Sequence, residues 1–212
     1  MRCDYLSVNK KAYDLTAEEF QDKVTLRDSS TNDLVSIFSK FVPKHSRILE
    51  LGPGSGAASR LLSEYGYNVT AIEFSEKMAQ FAQKVASDAH VINDEFLAHN
   101  FGREKYEGVF AVAFIHLFTK EDVHRVLHKV LVLLNKGGCA LLSTTLHEKY
   151  SEGFKRKNNF SGNAKRFRIE YTEKAFRELL SNTNCEVVHF SINKDPEVRG
   201  KSWMAVVIRK NK

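Results

Sequence analysis

The sequence predicts an α/β fold in which helices flank a mostly parallel sheet that ends in an antiparallel edge. Three observations predict it. Short apolar runs alternate with helical patterns from Arg47 onward, a glycine-rich turn joins the first such run to the helix after it, and the last two runs face each other across a short polar loop. A chain of 212 residues with 42% hydrophobic content and no low-complexity tract is read as one domain spanning 1–212. A chain of that length buries roughly 70% of the surface its unfolded form exposes.

The elements follow in order. Thr16 and Glu19 make a capping-box pair for a short first helix, and Leu34, Ile37, Phe38 and Phe41 form the apolar stripe of a second, which Pro43 helps to stop. The alternation then begins with a strand over Arg47–Leu51, a helix from about Ser55, a strand over 68–73, a helix from Ser75 and a short strand over 90–93. A strand over 108–114 precedes the clearest helix, where Val123, Val126, Leu127, Val130, Leu131 and Leu134 recur at helical spacing. Asn135 to Gly138 end that helix, since they tolerate left-handed backbone, and a strand over 139–144 follows. An irregular stretch over 146–169 leads to a helix around 172–180, and the runs 186–192 and 201–209 make a hairpin.

Composition excludes several classes. Cys3, Cys139 and Cys185 are odd in number and lack CxxC spacing, so neither a disulfide framework nor a zinc ribbon is indicated. The opening residues lack the apolar core of a signal peptide, and no apolar run approaches the roughly 20 residues that cross a bilayer. A soluble, cytoplasmic protein with no membrane partner is expected. Net charge is +6, and residues 151–170 hold six Lys or Arg against two Glu.

Three glycines, Gly52, Gly54 and Gly56, crowd the turn after the first strand, where backbone amides and a helix N-terminus approach a ligand closely. The same residues satisfy the dinucleotide pattern G-x-G-x-x-A through Ala57, so a nicotinamide-dependent oxidoreductase stays open, as does a plain tight turn. Glu50 separates the ligand readings. A carboxylate there would repel a pyrophosphate and attract an ammonium or sulfonium. Glu73, 21 residues after Gly52, has the spacing at which an acidic side chain reaches a ribose hydroxyl pair, and it suits any adenosine-containing ligand.

The series ELGPGSG, AIEFSEKM, VINDEFL, YEGVFAVAFIHLF and LLNKGGCALLSTT resembles the ordered motifs of class I S-adenosylmethionine-dependent methyltransferases, over roughly 45–145. The resemblance implies a Rossmann-like three-layer fold: seven strands, mostly parallel with the last antiparallel, and helices on both faces. It implies S-adenosylmethionine as cofactor and S-adenosylhomocysteine as product. By motif position Glu50, Gly52, Gly54 and Gly56 would line the methionine end and Glu73 the ribose. Phe74 would pack on the adenine, with Asp94, Glu95 and Phe96 near its amino edge. Residues 1–44 would form a helical cap in which Tyr13 and Phe20 are lid aromatics or ordinary helix packing, and 146–170 an insertion on the substrate side.

Methyl transfer from a sulfonium is an in-line displacement, so the task is to align acceptor, methyl and sulfur in a site that excludes water. His116, just after the fourth strand, is the candidate to position the acceptor or take its proton; a structural histidine bonded to nearby backbone is the competing reading. His124 and His128 have the spacing of HExxH, but position 125 is Arg where a zinc hydrolase needs Glu, so no metal is expected. Lys155, Arg156, Lys157, Lys165, Arg166 and Arg168 would recognise a carboxylate or phosphate on a small acceptor, or form a solvated basic loop. Phe160 and Phe167 among those cations keep RNA open as an alternative substrate, although no RNA-binding appendage is recognisable. Protein methylation and cofactor binding without catalysis are the remaining alternatives. Trp203 on the final strand is read as packing. The sequence leaves the oligomeric state open.

Overall fold

The computed structural model describes residues 4–22, 28–156, 164–195 and 198–211, with the side chains of 20, 22, 28 and 29 excepted. Five strands, β1 (Arg47–Leu51), β2 (Asn68–Glu73), β3 (His90–Asn93), β4 (Tyr106–Val112) and β5 (Leu134–Leu146), run parallel. With β8 (Cys185–Lys194) and β9 (Ser202–Lys210) they form one sheet in the order β3-β2-β1-β4-β5-β9-β8. The last strand, β9, is antiparallel to both neighbours, as expected, yet it lies inside the sheet and β8 is the edge. Their sequences say why. Met204 to Ile208 are buried without alternation, which only an interior strand covered on both faces accepts, whereas β8 is polar and largely half-exposed.

Successive strand residues point to opposite faces, and each face has its own core. Leu49, Leu51, Val109 and Leu142 pack with α5 (Lys120–Leu133) and α6 (Glu173–Ser181). Ile48, Phe110, Leu141 and Val207 pack with α2 (Asp28–Ser39) and α3 (Ala57–Glu64). Helix starts are capped as their sequences demand: Ser75 accepts from the Met78 amide at the head of α4 (Glu76–Val85), and Thr119 and Thr172 do the same for α5 and α6. No helix among the described residues is long and apolar enough to cross a membrane.

Four expectations need correction. Helix α1 spans Tyr5–Asp22, so Thr16 lies inside it and caps nothing; its hydroxyl donates to the Ala12 carbonyl at 2.9 Å. The buried stripe of α1 is Asn9, Ala12, Thr16 and Ala17, too small and polar to register as hydrophobic periodicity. Helix α5 stops at Leu133, and Asn135 to Gly138 open β5 instead of capping a helix. Gly138 is needed there because a Cβ would sit 3.0 Å from the Glu107 carbonyl of the neighbouring chain segment. The stretch read as irregular holds β6 (Ser151–Arg156) and β7 (Lys165–Glu170), an antiparallel pair with Phe154 opposite Phe167. Finally, β4 ends at Val112, because Ala113 takes φ 56° and turns the chain out of the strand.

Candidate active site

The carboxyl ends of the parallel strands open into a cavity of about 1050 Å³. This is where an open α/β sheet binds ligands. Helix α1 and strand β7 form its sides. Asn9 ties them together: its amide donates to the Leu117 carbonyl at 3.0 Å and to the Phe167 carbonyl at 3.2 Å, and it accepts from the Phe167 amide at 2.7 Å. Asp14, further along α1, fixes the middle of the helix by accepting from the Ser75 hydroxyl at 2.6 Å.

One wall is acidic. Glu50, 3% exposed at the end of β1, accepts from the Ser59 hydroxyl on α3, an outcome of β1 alternation that sends positions 48 and 50 to the α3 face. Glu73, at the end of β2, accepts from the Ser75 amide at 2.9 Å and from the Gly54 amide at 3.3 Å. Desolvation pushes the Glu50 carboxyl up to about 7, with Ser59 opposing and Glu73 adding to the rise. Desolvation also pushes Glu73 up to about 7, against the pull of its backbone donors. Neither carboxylate has a cationic partner among the described residues.

The glycines divide into two jobs. Gly52 and Gly54 line the cavity with φ of 67° and 56°. At Gly54 an added Cβ meets nothing, so its bare backbone faces open space; at Gly52 it would sit 2.9 Å from the Phe114 ring. Gly56 is different: it is buried, and a Cβ there would lie 2.7 Å from Ala82 Cα. It serves the close approach of the turn to α4 and does not border the cavity, contrary to the expectation that it lines a ligand.

Phe74, Asp94, Glu95 and Phe96 all border the acidic side. Glu95 is bent back to cap the turn after it, accepting from the Leu97 amide at 2.8 Å and the Ala98 amide at 2.7 Å. Asp94, at the exposed rim, bonds His99 at 2.8 Å. Phe96 is 3% exposed and packs on Phe101 and Phe114. Below this turn Lys129 donates to the carbonyls of Phe96, Leu97 and His99 at 2.5, 3.1 and 2.7 Å.

The opposite wall is basic. Arg168 on β7 donates to the Thr145 hydroxyl at 2.5 Å and lies 3.3 Å from His147 Nε2. Arg166 donates to the Tyr13 phenol at 2.6 Å, which fixes Tyr13 at the mouth. His116, 2% exposed, sits in the short 3-10 turn 115–117 with Nδ1 3.1 Å from the Thr144 hydroxyl. Burial, then the charges of Arg168 and Arg166, hold its imidazole well below the usual histidine range, so it is neutral. Lys155 and Arg156 border the cavity, with Lys155 paired to Glu170 at 3.3 Å.

Phe20 belongs to α1, but its side chain lies outside the described residues, as do Lys157 and Phe160. Lys165 is exposed. His124 and His128 lie on the exposed face of α5. Trp203 is half-buried and borders the cavity, its indole donating to Asp195 at 2.8 Å. Asn9, Asp14, Lys129, Thr145 and His147 were not singled out from sequence. Each acts through a partner more than a dozen positions away or through a strand pairing, and no local pattern marks them.

Residues 48–138 match the family model described as a methyltransferase domain. The Bacillus subtilis protein YqeM, provisionally assigned as a methyltransferase, is 34% identical over 121 residues, covering 53% of this chain and 48% of that one. An uncharacterized methyltransferase of Alkaliphilus oremlandii is 29% identical over 113 residues, covering 53% and 51%. The chain thus spans about half the length of the curated relatives it matches. Among solved structures, the Burkholderia thailandensis 1,6-didemethyltoxoflavin N1-methyltransferase, with its substrate and S-adenosylhomocysteine bound, superposes with a TM-score of 0.80 at 18% identity, over 99% of this chain and 90% of that one. The glycopeptide N-methyltransferase MtfA with S-adenosylhomocysteine gives 0.69 at 15% identity, over 85% and 89%.

Proposed function

We propose that this chain belongs to the class I S-adenosylmethionine-dependent methyltransferases and transfers a methyl group from S-adenosylmethionine to a small anionic acceptor. The observation that carries the reading is Glu50: a buried carboxylate bordering the cavity beside a glycine turn, with no cationic partner among the described residues. Such a group is costly unless a positive ligand completes it. The residues fit the cofactor. Glu50 would hold its cationic methionine end, Gly54 offers bare backbone, and Glu73 would take a ribose diol in place of its bond to the Gly54 amide.

When bound, S-adenosylmethionine supplies the electrophilic methyl group. The chain contributes alignment and dryness. Residues 1–44 act as the cap, through α1, and 146–170 as the acceptor-side wall, through β7, with Asn9 holding the two together. Neutral His116 is the group that orients the acceptor and takes its proton, its Nδ1 bond to Thr144 holding the ring in place. Arg166 and Arg168 supply the attraction for an anion. Calorimetry with S-adenosylhomocysteine and with NAD tests the reading. Saturable binding of the first and none of the second is expected; the reverse would overturn it.

A further inference from the structure

The basic wall holds more positive charge than its own carboxylates match. Strand alternation sends Arg166, Arg168 and Glu170 to the cavity side of β7 while Phe167 and Ile169 enter the core. Glu170 is already engaged: Lys155 lies 3.3 Å away and the Ser151 hydroxyl donates to it at 2.5 Å. Lys201 is likewise matched, by Asp195 at 2.8 Å. The two arginines are left over. Their hydrogen bonds go to neutral groups, Thr145 and the Tyr13 phenol, and neither has a carboxylate ion-pair partner among the described residues.

Three further facts sharpen this. Arg168 Nε is buried with no hydrogen-bond partner among the described residues. The neighbouring imidazoles supply no negative charge; His147 is held below the usual histidine range by burial and then by Arg168. Two guanidinium groups two positions apart on one strand also repel each other, and Arg166 itself pulls the Arg168 pKa down after burial does. A partly buried pair of like charges is unfavourable by itself and is completed by an anion from outside.

We propose that Arg166 and Arg168 form an oxyanion subsite for a carboxylate or phosphate group of the acceptor, with Thr145 and His147 as positioning residues for Arg168. Thr145 can accept from Arg168 Nη2 while donating to His147 Nε2 at 2.9 Å, a chain that fixes the guanidinium from behind. The inference rests on the methyl-transfer reading of the cavity and narrows its acceptor. That molecule carries an oxyanion at one end and an O–H or N–H nucleophile at the other, delivered to His116. With S-adenosylmethionine bound to supply the methyl group, the acceptor's O or N would bond the methyl carbon, its proton would pass to His116 Nε2, and the C–S bonding pair would stay with sulfur as the neutral thioether product.

The test uses the full chain and three probes, benzoate, inorganic phosphate and neutral benzamide, followed by NMR titration with and without S-adenosylhomocysteine. At least one oxyanion should bind saturably and benzamide about tenfold more weakly or worse, the discrimination a charge-assisted pair provides. Benzoate alone would point to a carboxylate acceptor and phosphate alone to a phosphorylated one; either supports the subsite. Arg168→Met should weaken the bound oxyanion about tenfold or more with S-adenosylhomocysteine affinity retained, and Arg168→Lys should recover part of the loss. Should Arg168→Met fold poorly, Arg166→Met carries the same expectation. Oxyanions that bind no better than benzamide, or that ignore both substitutions, overturn the proposal. If S-adenosylhomocysteine itself fails to bind, the methyl-transfer reading falls, while the titrations without it still decide the subsite.

Discussion

The acidic and basic walls of the cavity are built by opposite strategies. Glu50 and Glu73 come from the ends of adjacent parallel strands, and backbone or Ser hydroxyl groups within 19 positions supply their hydrogen bonds. Arg166 and Arg168 come from a small separate sheet and are fixed by Tyr13 and Thr145, which are 153 and 23 positions away. One wall is a local property of two strand-turn-helix units; the other exists only after the chain has closed. The contrast teaches how one site gains direction: a cation would be drawn to one side and an anion to the other, so the two ends of the cavity are not interchangeable.

The largest expected effect breaks the comparison at its midpoint. His116→Gln keeps a hydrogen-bonding side chain near Thr144 but removes the proposed proton acceptor, and kcat should fall about 100-fold, the scale of general-base catalysis. Cofactor affinity measured by calorimetry should stay level, because His116 belongs to the basic wall. Turnover within a few-fold of the parent would remove the base from the mechanism.

Glu50→Gln sharpens the same comparison from the acidic side. The amide preserves the volume and can still meet Ser59, while the charge is lost; S-adenosylmethionine should bind about tenfold more weakly or worse. Benzoate or phosphate binding at the arginines should be unchanged. A substitution that moves both affinities equally would show that the two walls act as one field.

How much was legible in advance follows the same division. The strand boundaries at Arg47–Leu51 and 68–73 and the place of Glu50, Gly52 and Gly54 at the cavity are legible, because apolar runs, glycines and acidic residues lie close in sequence. Gly56 marks a limit of the pattern: a glycine needed for packing against Ala82 looks the same in sequence as one needed for a ligand. β6 and β7 are hidden in the sequence because Lys155, Arg156, Lys165, Arg166 and Arg168 fill positions where strand periodicity would be read, and only Phe167 and Ile169 mark the buried side. The start of helix α1 is not legible because its buried stripe includes Asn9 and Thr16, whose burial depends on partners far along the chain and on the Ala12 carbonyl.

A third expectation concerns pH. Glu50 and Glu73 sit near 7 in the folded protein against an ordinary 4.5. Between those values the folded chain holds more protons than the unfolded one, so their contribution to stability falls as pH rises from about 4.5 to about 7 and is level above. A cationic ligand favours the ionised forms, so S-adenosylmethionine affinity should rise through the same window, by up to about tenfold between pH 6 and pH 8. Glu50→Gln should flatten that rise, and Arg168→Met should leave its shape intact. A flat profile in the parent protein would mean that both carboxyls are ionised before the ligand arrives.

The smallest expected effect asks whether the acidic side works by charge or by shape. Lys129 is a cation close behind Asp94 and Glu95, yet its ammonium group is spent on three backbone carbonyls and lies over the Phe96 and Phe101 rings at 5.1 and 5.3 Å. Its pKa is lowered chiefly by burial, with the two acidic residues opposing. Lys129→Met retains the apolar stem against those rings and removes the three donors, so the turn that carries Phe96 should loosen. Stability in urea should drop by about 2 kcal/mol, within the range for hydrogen bonds to a charged group. S-adenosylhomocysteine affinity should fall only about threefold, because the turn still forms and Glu95 still caps it from within. If affinity instead rose, the lysine would be opposing the positive ligand by charge, and the acidic wall would owe its strength to the balance of 94, 95 and 129 more than to the strand-end glutamates.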